Sequence, residues 1–161
     1  MSTQRPVVDY SLTKRAVLRD FQRGLVAMGE ICDSSPYLRN AARFHGEQTE
    51  LRCPVCRREN LTYVRFAYGE ALRQSAGQAR RPDELSLLAA TVDEFQVYLV
   101  EVCRGCGWNH LIEQYLLGTR VTGSNSPRRI DVDINERPER YGRVSQSARR
   151  DGAVATAGCD E

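Results

Sequence analysis

Cys53-Pro54-Val55-Cys56 and Cys103-Arg104-Gly105-Cys106 are two CxxC hooks in one chain. Two thiolates separated by two residues can curl round one side of a cation, and two such pairs supply the four sulfurs of a tetrahedral shell. Sulfur in that number favours zinc, so the sequence predicts one structural Zn2+ on Cys53, Cys56, Cys103 and Cys106. Competing uses of the same residues fit less well. A redox CxxC belongs at a helix N-terminus behind a strand, whereas each hook here joins or precedes extended chain. Four buried thiols without a metal would need two matched hooks at strand ends by coincidence. A catalytic zinc keeps one coordination position open, but four cysteines close the shell, and Glu101 or Glu113 fits the part of general base only by arbitrary placement. No enzymatic activity is expected.

The other metal-capable side chains read as structural. His110 lies four residues past Cys106, but a strand would carry it away from the metal, to pack or hydrogen-bond beside the site. His45 stands at a helix end, where an imidazole can meet free carbonyls. Cys32 reads as a small buried apolar residue of the helical arm, and Cys159 as an exposed thiol without a partner.

The hooks need elements to bring them together. Leu61 to Tyr68 is dense in β-branched and aromatic residues, which predicts a strand leaving the first hook. Glu94 to Val102 alternates Phe95, Val97 and Leu99 with Gln96 and Tyr98 and delivers a second strand straight into the second hook. Trp108 to Leu117, closed by Gly118, reads as the third. Between the first two, Gly69 to Arg81 reads as a loop, and Pro82-Asp83-Glu84 opens a helix through Ala90 with acids in its first turn.

Upstream, Ser11 to Arg23 is helical, with Ser11 as cap, Gly24 as stop, and Val17, Leu18, Phe21 and Leu25 on one face. Arg15, Arg19 and Arg23 form a row on the opposite face. A short helix spans about Val26 to Ile31, and a third, capped by Ser35 and opened by Pro36, would bury Tyr37, Leu38, Ala41 and Phe44. Three short helices in succession resemble a helix-turn-helix, but nothing in the sequence fixes the required angle.

The fold class expected is α+β: an N-terminal helical arm over 1–50, a three-stranded antiparallel zinc-ribbon with an inserted loop and helix over 51–118, and a flexible tail over 119–161. In the tail Ile130, Val132 and Ile134 alternate once, enough only for an isolated edge strand. A chain of 161 residues, 41% of them hydrophobic, suits one modest core with attached arms. No stretch approaches the roughly 20 apolar residues that span a bilayer, and Met1 to Pro6 lacks the pattern of a secretory signal. A cytoplasmic location is expected, where thiols stay reduced and serve as metal ligands.

Several blocks stand beside the hooks, the triplets Phe44-His45-Gly46 and Trp108-Asn109-His110 being the more specific part: Val8-Asp9-Tyr10, Cys32-Asp33 with Pro36-Tyr37-Leu38, Phe44-His45-Gly46, Tyr68-Gly69, and Val100-Glu101-Val102-Cys103 through Trp108-Asn109-His110-Leu111. With Cys53-Pro54-Val55-Cys56 they resemble a family of small actinobacterial zinc-ribbon proteins of unknown function, over roughly Val7 to Gly118. That resemblance implies a fold and a metal and leaves the activity open.

Function must then come from the surface. The formal charge of +2 sets 23 basic residues against 21 acidic ones, so bulk electrostatics names no partner. Lys14 is the only lysine, and the arginine planes suit phosphates, carboxylates and aromatic faces. Arg52, Arg57, Arg58, Arg65 and Arg104 surround the hooks, and with Arg15, Arg19 and Arg23 they could form a phosphate-binding surface, with Tyr63, Phe66 and Trp108 interleaved for stacking. The expectation is a non-enzymatic zinc-ribbon binding protein that docks on nucleic acid or the transcription machinery. The alternative is a protein-interaction adaptor in which the ribbon is a rigid platform; a zinc-dependent enzyme ranks third. Either leading reading calls for a macromolecular partner, with no membrane and no small-molecule substrate.

Overall fold

A computed structural model of the chain describes residues 5–119, and the predicted tail beyond Thr119, with its Ile130–Ile134 strand and Cys159, lies outside them. Strands β1 (Arg5–Asp9), β2 (Glu47–Arg52), β3 (Asn60–Tyr68), β4 (Gln78–Arg80), β5 (Phe95–Val102) and β6 (Asn109–Leu117) form one antiparallel sheet. Helices α1 (Ser11–Gln22), α2 (Met28–Ile31), α3 (Pro36–His45) and α4 (Pro82–Thr91) complete the α+β fold.

The sheet has six strands where the sequence predicted three. The order is β1-β6-β5-β3-β2, and β4 pairs with β3 as well. The predicted β3, β5 and β6 form its centre; the additions lie at its margins, where the apolar alternation that betrays a strand is absent. β2 is exposed at every position but Thr49, and β4 is a three-residue piece inside the span read as a loop.

Topology delivers the hooks to one place. β3 and β5 run antiparallel with Thr62 opposite Val102, so the start of one adjoins the end of the other. Residues 53–59 form the tip between β2 and β3, and residues 103–108 the tip between β5 and β6. Both tips therefore emerge at the same end of the sheet.

One sheet face is covered by α3. Ser35 caps it by accepting the Leu38 N–H at 3.1 Å, and Leu38, Ala41 and Ala42 pack on Val64, Phe66, Tyr98, Val100 and Val102. Tyr37 and Phe44, predicted to be buried, are 55% and 67% exposed. The two alanines bring the helix close to the sheet, and the flanking rings stay outside.

On the opposite face Val17, Leu18 and Phe21 of α1 pack against Ile31, Leu61 and Trp108 beside the cysteines. Leu25 leaves that row at 71% exposure, because the chain turns away at Gly24, whose φ is +72°. The predicted cap is shifted by one position: Ser11 opens the helix itself, and its N–H is taken by Asp9 Oδ1 at 2.6 Å. The far end of this face is closed by Leu72 and Leu85 over Ala67, Phe95, Val97, Tyr115 and Leu117. No helix among the described residues is long and apolar enough to cross a membrane.

Candidate metal centre

The sulfurs of Cys53, Cys56, Cys103 and Cys106 all lie within 4.8 Å of one another, an arrangement able to hold one metal ion. Cys53 Sγ is 3.7 Å from Cys106 Sγ, and Cys56 Sγ is 3.7 Å from Cys103 Sγ, so each hook reaches across to the other. Cys53 and Cys103 are fully buried and Cys56 and Cys106 partly so.

The two hooks share a backbone plan. The Cys53 carbonyl accepts the Arg57 N–H at 3.0 Å, and the Cys103 carbonyl accepts the Gly107 N–H at 3.0 Å. Each first cysteine also ties its own N–H across the tip, Cys53 to the Glu59 carbonyl and Cys103 to that of Trp108, both at 2.8 Å. Such a tight reversal needs a left-handed residue four positions past the first cysteine. Gly107 supplies it at φ +88°; Arg57 occupies the equivalent place at φ +55°.

These turns aim backbone N–H groups at sulfur, as the Trp108 amide shows by lying 3.5 Å from Cys106 Sγ. Burial pushes the Cys53 and Cys106 thiols up to about 12. At Cys56 burial acts the same way, but the amides of Arg58 and Glu59 and the neighbouring thiols outweigh it and bring the thiol down to about 7. Buried thiols held protonated beside one that ionises readily would gain a shared cation as counter-charge.

Cys32 is more than core filling. It is half-buried, and its thiol points at Cys106 Sγ from 3.7 Å, a fifth sulfur beside the four. The turn that carries it is laced to the second hook: Ser34 N–H donates to the Gly107 carbonyl at 3.0 Å, and Asn109 Nδ2 donates to Asp33 Oδ1 at 3.1 Å. Trp108 covers the cluster at 1% exposure and donates Nε1–H to Glu101 Oε1 at 2.9 Å. His110 stacks on Trp108 and gives Nδ1–H to the Leu111 carbonyl at 2.6 Å; burial holds its imidazole below the ordinary range.

The predicted basic surface does not assemble as one set. Arg65 pairs with Glu47 at 2.9 Å on the sheet, Arg19 stands 3.8 Å from Asp20, and Arg52 donates to the carbonyls of Arg57 and Arg58 at 3.4 Å. Arg15 and Arg23 are exposed on α1. Two of the predicted stacking rings, Phe66 and Trp108, are buried, and Tyr63 is half-buried, its phenol raised by burial and by the charges of Glu101 and Glu113. Arg104 instead meets two residues the sequence reading passed over. With Arg39, Asn40, Arg43 and Glu59 it lines an open depression of about 410 Å³ beside the second hook. Arg39 and Arg43 are four apart on α3, a spacing that puts them side by side on its outer face, and this was the signal available.

Residues 1–131 match the model of a family of unknown function, DUF5318. The chain belongs to this family. Uncharacterized protein Mb0050 of Mycobacterium bovis and uncharacterized protein Rv0049 of Mycobacterium tuberculosis are each 47% identical to it over 111 residues, covering 69% of this chain and 81% of theirs. No solved structure matches the chain.

Proposed function

We propose that this DUF5318 member is a non-enzymatic binding protein built on a structural zinc ribbon, and that its arginine-bearing metal tips dock on nucleic acid. The observation that carries the reading is the mutual approach of the four sulfurs. A tetrahedral zinc with bonds of about 2.3 Å has sulfur–sulfur edges of about 3.8 Å, close to the 3.7 Å found across each pair of hooks. Four thiolates fill such a shell and leave no open position for substrate or water, so zinc here would supply cross-linking, with no reaction to run.

Nucleic acid is favoured as partner because exposed arginines crowd this end of the sheet: Arg52, Arg57 and Arg58 round the first hook, Arg104 in the second, and Arg39 and Arg43 on the adjoining helix. The test is elemental analysis joined to a salt titration of oligonucleotide binding by the full chain. One zinc per chain is expected, with affinity falling steeply as salt rises. Absence of stoichiometric zinc, or of any binding at low salt, overturns the reading. A protein-interaction adaptor is the second reading, supported by the exposed Leu12 of α1, Leu25 of the turn that follows and Met28 of α2; partner binding indifferent to salt would favour it.

A further inference from the structure

The outer face of α3 carries two neighbouring depressions that share Asn40. The first is the arginine notch. Its arginines take no part in the ion pairs found among the described residues, which are Lys14–Glu101, Arg19–Asp20, Arg65–Glu47 and Arg81–Asp83. Arg39 is fixed by its Nε–H bond to Ser34 Oγ at 2.9 Å, and its guanidinium lies over the second hook, where a Cβ on Gly107 would come within 2.6 Å of Nη2. Glu59 rests on the same hook, 2.7 Å from where a Gly105 side chain would begin. The notch thus gathers three guanidiniums against one carboxylate.

The second depression, about 270 Å³ and mostly apolar, opens between α3 and β4 and is lined by Tyr37, Phe44, His45 and Arg80 among others. Tyr37 and Phe44 are largely exposed, and the Arg43 guanidinium lies 5.4 Å over the Phe44 ring centre. Arg80 Nε is the one buried side-chain polar atom among the described residues that lacks a hydrogen-bond partner. That atom is covered by its neighbours, so what the depression offers a guest is its exposed aromatic pair, which suits a flat ring.

We infer that α3 binds one nucleotide unit of single-stranded nucleic acid, its phosphate in the Arg39–Arg43–Arg104 notch and its base against Tyr37 and Phe44. This rests on the nucleic-acid reading above and narrows it. Guanidinium forks match phosphate oxygens, and every base presents a face to an aromatic ring only when it is free of its complementary strand. In a duplex the bases are stacked and a ring on a helix surface cannot reach them.

The test uses the zinc-loaded full chain and fluorescent mixed-sequence oligonucleotides, single-stranded and duplex, with zinc content and melting temperature checked in every variant. The single strand should bind more tightly than the duplex. Phe44→Ala should weaken it by about fivefold to a hundredfold, the range of one lost stacking contact. Arg43→Ala and Arg104→Ala should each flatten the salt dependence by about one phosphate contact. Glu59→Gln, which removes the one negative charge of the notch, should tighten binding. If oligonucleotides bind but duplex competes equally, or these variants bind as wild type while Arg15→Ala and Arg19→Ala weaken binding, the α3 site is wrong and the nucleic-acid reading survives. If no oligonucleotide binds, both readings fail; if one binds, a nucleoside monophosphate titration followed by NMR decides the site. Amide shifts confined to Tyr37–Phe44 and Arg104–Gly107 would uphold it, and none would overturn it.

Discussion

Lys14 Nζ lies 2.7 Å from Glu101 Oε2, and the Glu101 side chain has no exposed surface. The chain's only lysine is therefore the clamp between α1 and the centre of the sheet, because the other oxygen of the same carboxylate holds Trp108. Removing one partner of a buried pair strands the other without solvent, and that is more costly than losing the attraction itself. Lys14→Met should destabilise the zinc-loaded protein by about 3 kcal/mol, the low end of the range for buried pairs, since Lys14 keeps a quarter of its surface in water. Adding Glu101→Gln, which removes the stranded charge and keeps an acceptor for Trp108, should recover more than half. Urea unfolding of both variants checks this; a double variant no better than the single would show that the pair is not the cause.

The equivalence of Arg57 and Gly107 gives a second prediction. Both stand four residues past the first cysteine of a hook with positive φ, yet only one is glycine. A left-handed non-glycine residue costs about 1–2 kcal/mol, partly offset by the greater freedom a glycine has in the unfolded chain. Arg57→Gly should therefore stabilise the protein by about 0.5–1 kcal/mol. Gly107→Ala should do the reverse, because it adds the same strain and drives a Cβ to 2.9 Å from the Cys32 carbonyl. Denaturation midpoints decide the matter, and a destabilised Arg57→Gly would mean that the first hook does not need the left-handed turn.

How much of this was legible follows from where the physical signals are strong. The gathering of Cys53, Cys56, Cys103 and Cys106 could be read because thiolate chemistry fixes both residue type and spacing, and β3, β5 and β6 because each is apolar enough to be a buried strand. β2 was invisible, since an edge strand with polar residues on both faces carries no period, and β4 because its three residues are too few to show one. Tyr37 and Phe44 were misplaced on α3 because hydrophobicity alone does not say that Ala41 and Ala42 set the depth of approach. Trp108-Asn109-His110 could be noticed as specific, but that Asn109 touches Asp33 depends on a turn and a hook 76 positions apart.

Metal uptake should be tied to proton release. Without a cation, burial keeps Cys53 and Cys106 protonated at neutral pH, with thiols near 12, while Cys56, near 7, is about half ionised. Coordination demands thiolates, so zinc binding at about pH 7 should expel the protons of Cys53 and Cys106 and part of one from Cys56. The sign follows: acidification adds protons that the metal must displace, so affinity falls from about pH 8 to about pH 6. Calorimetry in buffers of different ionisation enthalpy counts the protons, and a release below one per zinc would contradict the buried-thiol picture.

The fifth sulfur separates ligation from proximity. Cys32 lies as near to Cys106 as Cys53 does, at 3.7 Å, but it comes from the turn before α3 and has no partner hook. Four thiolates complete a zinc shell, so Cys32→Ser should keep one zinc per chain and change the melting temperature little. Cys103→Ser opens the shell at a fully buried position on which Ile31, Leu61 and Trp108 also pack. Since the binding energy of a structural zinc is largely folding energy, about 10 kcal/mol or more, this variant should lose both the metal and cooperative melting of the ribbon. Equal zinc loss in the two variants would make Cys32 a ligand and one of the CxxC sulfurs the bystander, which the pairing of each hook with the other argues against.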